Sequence, residues 1–171
     1  VRSLQILICY LVMSLAAPLH AAENPDISGY VMHVQMTPAA CSFDSSRQKQ
    51  RKCLEGYSLT IASLLPEVPL NRDCSTKTSA KLSPLQAKVV ARVMPDENAR
   101  VQLWQNVGGC MSMNASQYFR TIINFAERLK VPADLTSPNT IEVQKENLRQ
   151  QFMKLNPSLP PTGIRFTCQS S

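Results

Sequence analysis

Six cysteines, Cys9, Cys41, Cys53, Cys74, Cys110 and Cys168, are strung along the chain with no two closer than 12 positions. That wide spacing constrains the fold more than any other feature. It excludes the CxxC rhythm of zinc ribbons and fingers, and no Cys/His set replaces it, so neither a metal nor another cofactor is expected. Cysteines spread in this way suit covalent closure of long loops in an oxidising compartment.

The first residues point to the same compartment. Arg2 is followed by an apolar run from Leu4 to Ala17, ended by Pro18 and followed by the small residues Ala21 and Ala22. Charged, apolar and small-residue regions in that order make a secretory signal peptide. The run is shorter than the ~20 residues of a spanning helix. Residues 1–22 are therefore expected to be a cleaved signal, and 23–171 a single domain without a membrane segment, periplasmic or secreted. Cleavage removes Cys9 and His20. Five cysteines and one histidine, His33, remain.

The mature chain reads as α+β. Tyr30, Met32, Val34 and Met36 alternate with Val31, His33 and Gln35, the period of a half-buried strand. Residues 41–56 form a polar loop carrying the basic run 47–52. Residues 57–65 are rich in strand formers and stop at Pro66. Ser83-Pro84 supplies a cap and a first-turn proline for a helix whose apolar face is Leu82, Leu85, Val89 and Val93. A short helix over 98–107 stops at Gly108-Gly109. Phe119, Ile122, Ile123, Ala126 and Leu129 mark a third helix, and 138–154 a fourth with Ile141, Leu148 and Phe152 inward. Ile164 to Thr167 reads as a last short strand. With 44% hydrophobic residues the chain can bury a core, so disorder is excluded. Eighteen Lys and Arg against twelve Asp and Glu give a net charge of +6, which permits an acidic partner.

Three segments together carry a family resemblance. Residues 59–66, Leu-Thr-Ile-Ala-Ser-Leu-Leu-Pro, resemble the F-T-I-H-G-L-W-P block of the ribonuclease T2 family. Residues 103–110, Leu-Trp-Gln-Asn-Val-Gly-Gly-Cys, resemble its second block, H-E-W-x-K-H-G-T-C, from the second residue onward. Residues 34–38 with Cys41 resemble the family's opening strand. The resemblance spans residues 29–169 and implies a central antiparallel sheet packed against several helices.

The family cleaves RNA by internal phosphoryl transfer. That reaction needs a base for the 2′-hydroxyl, an acid for the departing oxygen and cations for the phosphorus oxygens. The resemblance places the first-block histidine on Ala62. It places the second block's residues on Gln102 (His), Leu103 (Glu), Asn106 (Lys) and Val107 (His), and the base-stacking tryptophan on Leu65. None of these side chains can transfer a proton. A positioned acid or base is worth ~10²–10⁴-fold each, so the resemblance implies a ribonuclease T2 fold without its chemistry, hence not an enzyme.

The expected role is then binding of a protein partner or RNA through the former cleft, lined by Ala62, Leu65, Leu103 and Val107. Arg47, Lys49, Arg51 and Lys52 would add rim charge, and Trp104 is expected in the core. The alternative is a weak endoribonuclease built on His33 and neighbouring cations. The resemblance also implies Cys41–Cys53 and Cys74–Cys110 bridges. It leaves Cys168, whose family partner lies further downstream, without one, and leaves the sheet edge at Ile164–Thr167 open.

Overall fold

Strand-forming residues on both sides of the basic loop pair with each other. In the computed structural model, which describes residues 27–43, 45–136 and 142–167, β1 (Tyr30–Met36) lies antiparallel to β2 (Leu59–Pro66). The proposed signal, Cys168 and Ile141 lie outside the described residues. Tyr30 faces Pro66 and His33 faces Ser63, but Val34 faces Ile61, so Ala62 is the extra residue of a β-bulge. A bulge leaves one residue unpaired and bends its strand. Here it also shifts the phase of β1. Tyr30 and Met32 pack on the core, whereas Val34 and Met36 are exposed and Gln35 is half-buried. The burial pattern does not follow the sequence alternation past His33 for that reason.

The segment between the strands is not plain loop. It holds α1 (Thr37–Phe43) and a single helical turn, α2 (Arg51–Leu54). Cys41 and Cys53 are bonded, with Cα atoms 5.8 Å apart. After β2 an extended stretch leads to α3 (Pro84–Val90). Ser83 caps it by accepting from the Gln86 amide at 3.3 Å. The inward face differs from the expected one: Leu85 is exposed and Val90 is fully buried. The helix ends at Val90, so Val93 belongs to the following turn.

Helix α4 (Glu97–Val107) buries Arg100, Trp104 and Val107, an i, i+4, i+7 stripe. Its end is crowded by residues 74–76. The Thr76 amide donates to Gln105 and the Gly109 amide to Cys74, both at 2.8 Å. A Cβ on Gly108 would stand 2.6 Å from the Thr76 methyl, and one on Gly109 would collide with the Ser75 carbonyl. Gly109 thus marks a close crossing of two backbones, sealed by the Cys74–Cys110 bond, and Gly108 leaves room for the Thr76 and Trp104 side chains.

Helix α5 (Ala115–Arg128) starts with a reciprocal cap. Asn114 accepts from the Gln117 amide at 2.9 Å and Gln117 accepts from the Asn114 amide at 3.0 Å. It supplies Tyr118, Phe119 and Ile122 to a core shared with Ile61 and Leu64 of β2, Val90, Met94, Trp104 and Val107. The Tyr118 ring lies 5.5 Å from Trp104, and its hydroxyl donates to the Leu64 carbonyl at 2.7 Å.

Helix α6 (Lys145–Leu155) is tied to the end of α5 through Asn156. That side chain accepts from the Lys130 amide and donates to the Lys130 carbonyl, both at 2.8 Å. Residues 164–167 belong to no helix and form no strand ladder, and Ile164 has extended backbone angles. They lie along α6, with the Phe166 ring 5.9 Å from Phe152. The architecture is therefore mixed α and β, and among the described residues its sheet has two strands.

Candidate functional site

The bulge decides which side chains meet. It leaves Ala62 exposed between Ile61, which turns into the core, and the buried Ser63. Beside Ala62 is a pocket of about 220 Å³. Gln35, Thr60 and Ala62 form its strand side. Arg47 and Lys52 come from the disulfide-closed segment. Met94, Pro95, Asp96 and Ala99 close it from the start of α4.

Each wall is held by identifiable bonds. Lys52 donates from its ammonium to the side-chain amide oxygen Oε1 of Gln35 at 3.1 Å. A lysine has three donors, so this bond leaves others to point at a ligand. The Thr60 and Thr37 hydroxyls are 3.2 Å apart, joining β2 to the start of α1. Asp96 precedes α4, yet its carboxylate does not cap that helix. It accepts from the Arg51 amide at 3.0 Å and fastens the basic segment to α4.

Arg100 supports the Met94–Pro95 wall. Its guanidinium is buried and donates to the carbonyls of Met94 at 2.5 Å and Pro95 at 3.1 Å. Burial lowers its pKa. Arg51 is exposed and paired with Glu55 at 2.5 Å, which raises its pKa through the hydrogen bond.

Of the eight residues expected to bind, this pocket gathers Ala62, Arg47 and Lys52. Lys49 and Arg51 are exposed on the same disulfide-closed segment without lining it. The expected apolar cleft does not form. Val107 is only 5% exposed and belongs to the core stripe of α4. Leu65 is separated from Ala62 by the buried Ser63 and Leu64 and does not line the pocket. Leu65 instead pairs across from Val31 and packs at the core edge, as does Leu103. Gln102 and Asn106 are exposed and share the flank of α4 that begins at Ala99. Trp104 is in the core, 2% exposed.

His33 is exposed and lies outside the pocket lining. Its Nδ1 is 3.0 Å from the Ser63 hydroxyl across the ladder. Both implied disulfides are present, Cys41–Cys53 and Cys74–Cys110. Among the described residues no group of three or more His, Cys, Asp or Glu side chains is placed to hold a metal. Among them, too, no helix is long and apolar enough to cross a membrane.

The sequence reading missed Gln35, Thr60, Asp96, Ala99 and the supporting Arg100. One signal for Arg100 was available: it shares the i, i+4, i+7 stripe with Trp104 and Val107. The others are brought in by the bulge and the disulfide, which have no local signature. No family model, no curated protein and no solved structure matches the chain.

Proposed function

We propose that the chain is a ribonuclease T2-like protein of the periplasm or the secreted fraction that holds RNA without cleaving it. The observation that carries this reading is the pocket beside Ala62, where Arg47 and Lys52 line the same cavity as a position the family gives to a catalytic histidine. Two cations, the Thr60 hydroxyl and the Gln35 amide suit a phosphodiester. At about 220 Å³ the pocket is smaller than the ~300–1,000 Å³ of typical small-molecule sites, and matches a phosphate group better than a whole nucleotide. The one carboxylate in the lining, Asp96, is turned to the Arg51 amide.

RNA is favoured over a protein partner at this site because the apolar residues invoked for a protein, Leu65 and Val107, are in or against the core. The disulfides support an oxidising compartment. The ordered blocks support the family reading: the first falls on β2, and the second runs along α4 to Cys110.

Fluorescence anisotropy with labelled dodecauridylate tests the proposal. Binding should weaken steeply with salt, and Lys52→Glu should weaken it about tenfold at low salt. No 2′,3′-cyclic phosphate should appear above a blank. Lack of binding, or unchanged binding by Lys52→Glu, would overturn the reading. Cyclic phosphate release that is lost in His33→Ala would establish the weak endoribonuclease instead.

A further inference from the structure

We propose that the groove between α6 and residues Ile164–Thr167 docks an extended acidic segment of a partner protein, added to Ile164–Thr167 as a strand. The groove encloses about 490 Å³. Two independent observations meet there.

The first is backbone. Ile164 has φ −113° and ψ 117°, and the next residues alternate as a strand does: Ile164 and Phe166 half-buried, Arg165 and Thr167 exposed. Yet no residue of the described chain donates to or accepts from the backbone of Ile164–Thr167. The segment is held in place by other contacts. Phe166 packs on Phe152, and Arg149 donates to the Pro161 carbonyl at 3.1 Å just upstream. A pre-extended segment with unused amides and carbonyls is a template for strand addition.

The second is charge. Lys145, Arg149 and Arg165 line the groove against a single carboxylate, Glu146. Arg149 already grips both oxygens of that carboxylate, at 3.0 and 2.8 Å. Lys145 and Arg165 have no ion pair among the described residues. An added strand with acidic residues at every second position would place one opposite Arg165 and direct the next along the same face. Apolar residues between them would meet Ile164 and Phe166. A polypeptide satisfies both observations, whereas a nucleic acid answers only the charge.

The probe is a fluorescein-labelled decapeptide of alternating glutamate and valine, added to the intact chain. Anisotropy should show binding that Lys145→Glu with Arg165→Glu weakens about tenfold, since exposed charge contacts are each worth only a few-fold. N-methylation of the valine amides should abolish it. Hydrogen exchange should show Ile164–Thr167 amides unprotected in the free protein and slowed in the complex. Lys52→Glu should leave peptide binding unchanged, and the groove variants should leave dodecauridylate binding unchanged, so the two sites fail or stand separately. Four results would overturn the proposal: no binding, equal binding of a lysine-valine decapeptide, dodecauridylate binding lost with the groove charges, or amides already protected in the free chain.

Discussion

Two disulfides close two regions that the chain uses in opposite ways. Cys74–Cys110 ties residues 74–76 to the end of α4, and Cys110 is fully buried. Around it the sequence is specific to packing: Gly109 admits a crossing backbone, Gly108 makes room for the Thr76 and Trp104 side chains, and the Trp104 ring packs tilted against Tyr118. Cys41–Cys53 closes a segment whose cysteines are half-buried and whose basic residues are mostly exposed. That segment reaches the pocket with Arg47 and Lys52 and is fastened to its walls by the Lys52–Gln35 and Arg51–Asp96 hydrogen bonds. One region spends its residues on stability, the other on presenting charge. The blocks that carry the ribonuclease T2 resemblance fall in the first region and on β2. The side chains suited to a ligand come largely from outside those blocks.

The comparison breaks first if the two bridges contribute alike. By loop closure alone they nearly do, with about 4 kcal/mol for Cys74–Cys110 and about 3 kcal/mol for Cys41–Cys53. The buried bridge should cost more, because its removal also empties core space. Cys74→Ala with Cys110→Ala should lower stability by about 4 kcal/mol or more in urea unfolding. Cys41→Ala with Cys53→Ala should cost about 3 kcal/mol at most, and should mainly weaken dodecauridylate binding by freeing Arg47 and Lys52. If the second pair unfolds the protein as readily as the first, the division of labour is wrong.

Gly109→Ala tests the crossing itself. Its methyl would meet the Ser75 carbonyl, a backbone atom that cannot rotate away. A cost of about 2 kcal/mol is expected from overpacking. Gly56→Ala is the control for a different mechanism. Gly56 has open space around its Cα but a φ of +70°, so its smaller cost would come from backbone conformation alone.

How much of this was legible in the sequence depends on whether the cause is local. Ser83-Pro84 opens a helix because the cap and the proline act within one turn, and Gly108-Gly109 ends one next to the residues it follows. Both strands were visible from residue type and period. The bulge at Ala62 was not. It is a property of the register between two segments joined by a disulfide-closed loop, and it reversed the inward faces of Val34, Gln35 and Met36. Leu85 and Val90 exchanged expected places because the face a short helix buries is set by its neighbours. Ile164–Thr167 has strand composition and alternating burial, but a ladder needs a partner strand beside it. The bridges were implied by family resemblance, since spacing alone permits other pairings.

The Tyr118 hydroxyl ties α5 to β2 in addition to their shared core, and it gives a pH signature. Tyr118 donates to the Leu64 carbonyl, and burial pushes the phenol well above its ordinary value. A raised pKa in the folded state means that folding favours the protonated form. Its contribution is complete below the unfolded value of about 10 and is lost as pH rises above it. Tyr118→Phe should cost about 1–2 kcal/mol at neutral pH by leaving a buried carbonyl unpaired. Urea midpoints from pH 8 to 11 should fall less in Tyr118→Phe than in the parent chain. Equal alkaline losses would mean the hydroxyl is not held as described.

The smallest effect on stability should come from the charged segment, and there the comparison is sharpest. Lys49 and Arg51 are exposed, and Lys52 meets only Gln35 among the described residues. Surface substitutions of this kind usually change stability by less than about 0.5 kcal/mol. Lys49→Gln and Lys52→Gln should therefore unfold at the parent's urea concentration. Their RNA binding should differ. Lys52 lines the pocket, so Lys52→Gln should lower affinity and reduce the slope of log affinity against log salt by about one unit, the signature of one lost phosphate contact. Lys49 does not line it, so Lys49→Gln should weaken binding only slightly and leave the slope nearly intact, through the field rather than through contact. Equal slopes for the two variants would mean that RNA follows the net charge of the segment and not the pocket beside Ala62. The bulge would then shape the strand without shaping a site.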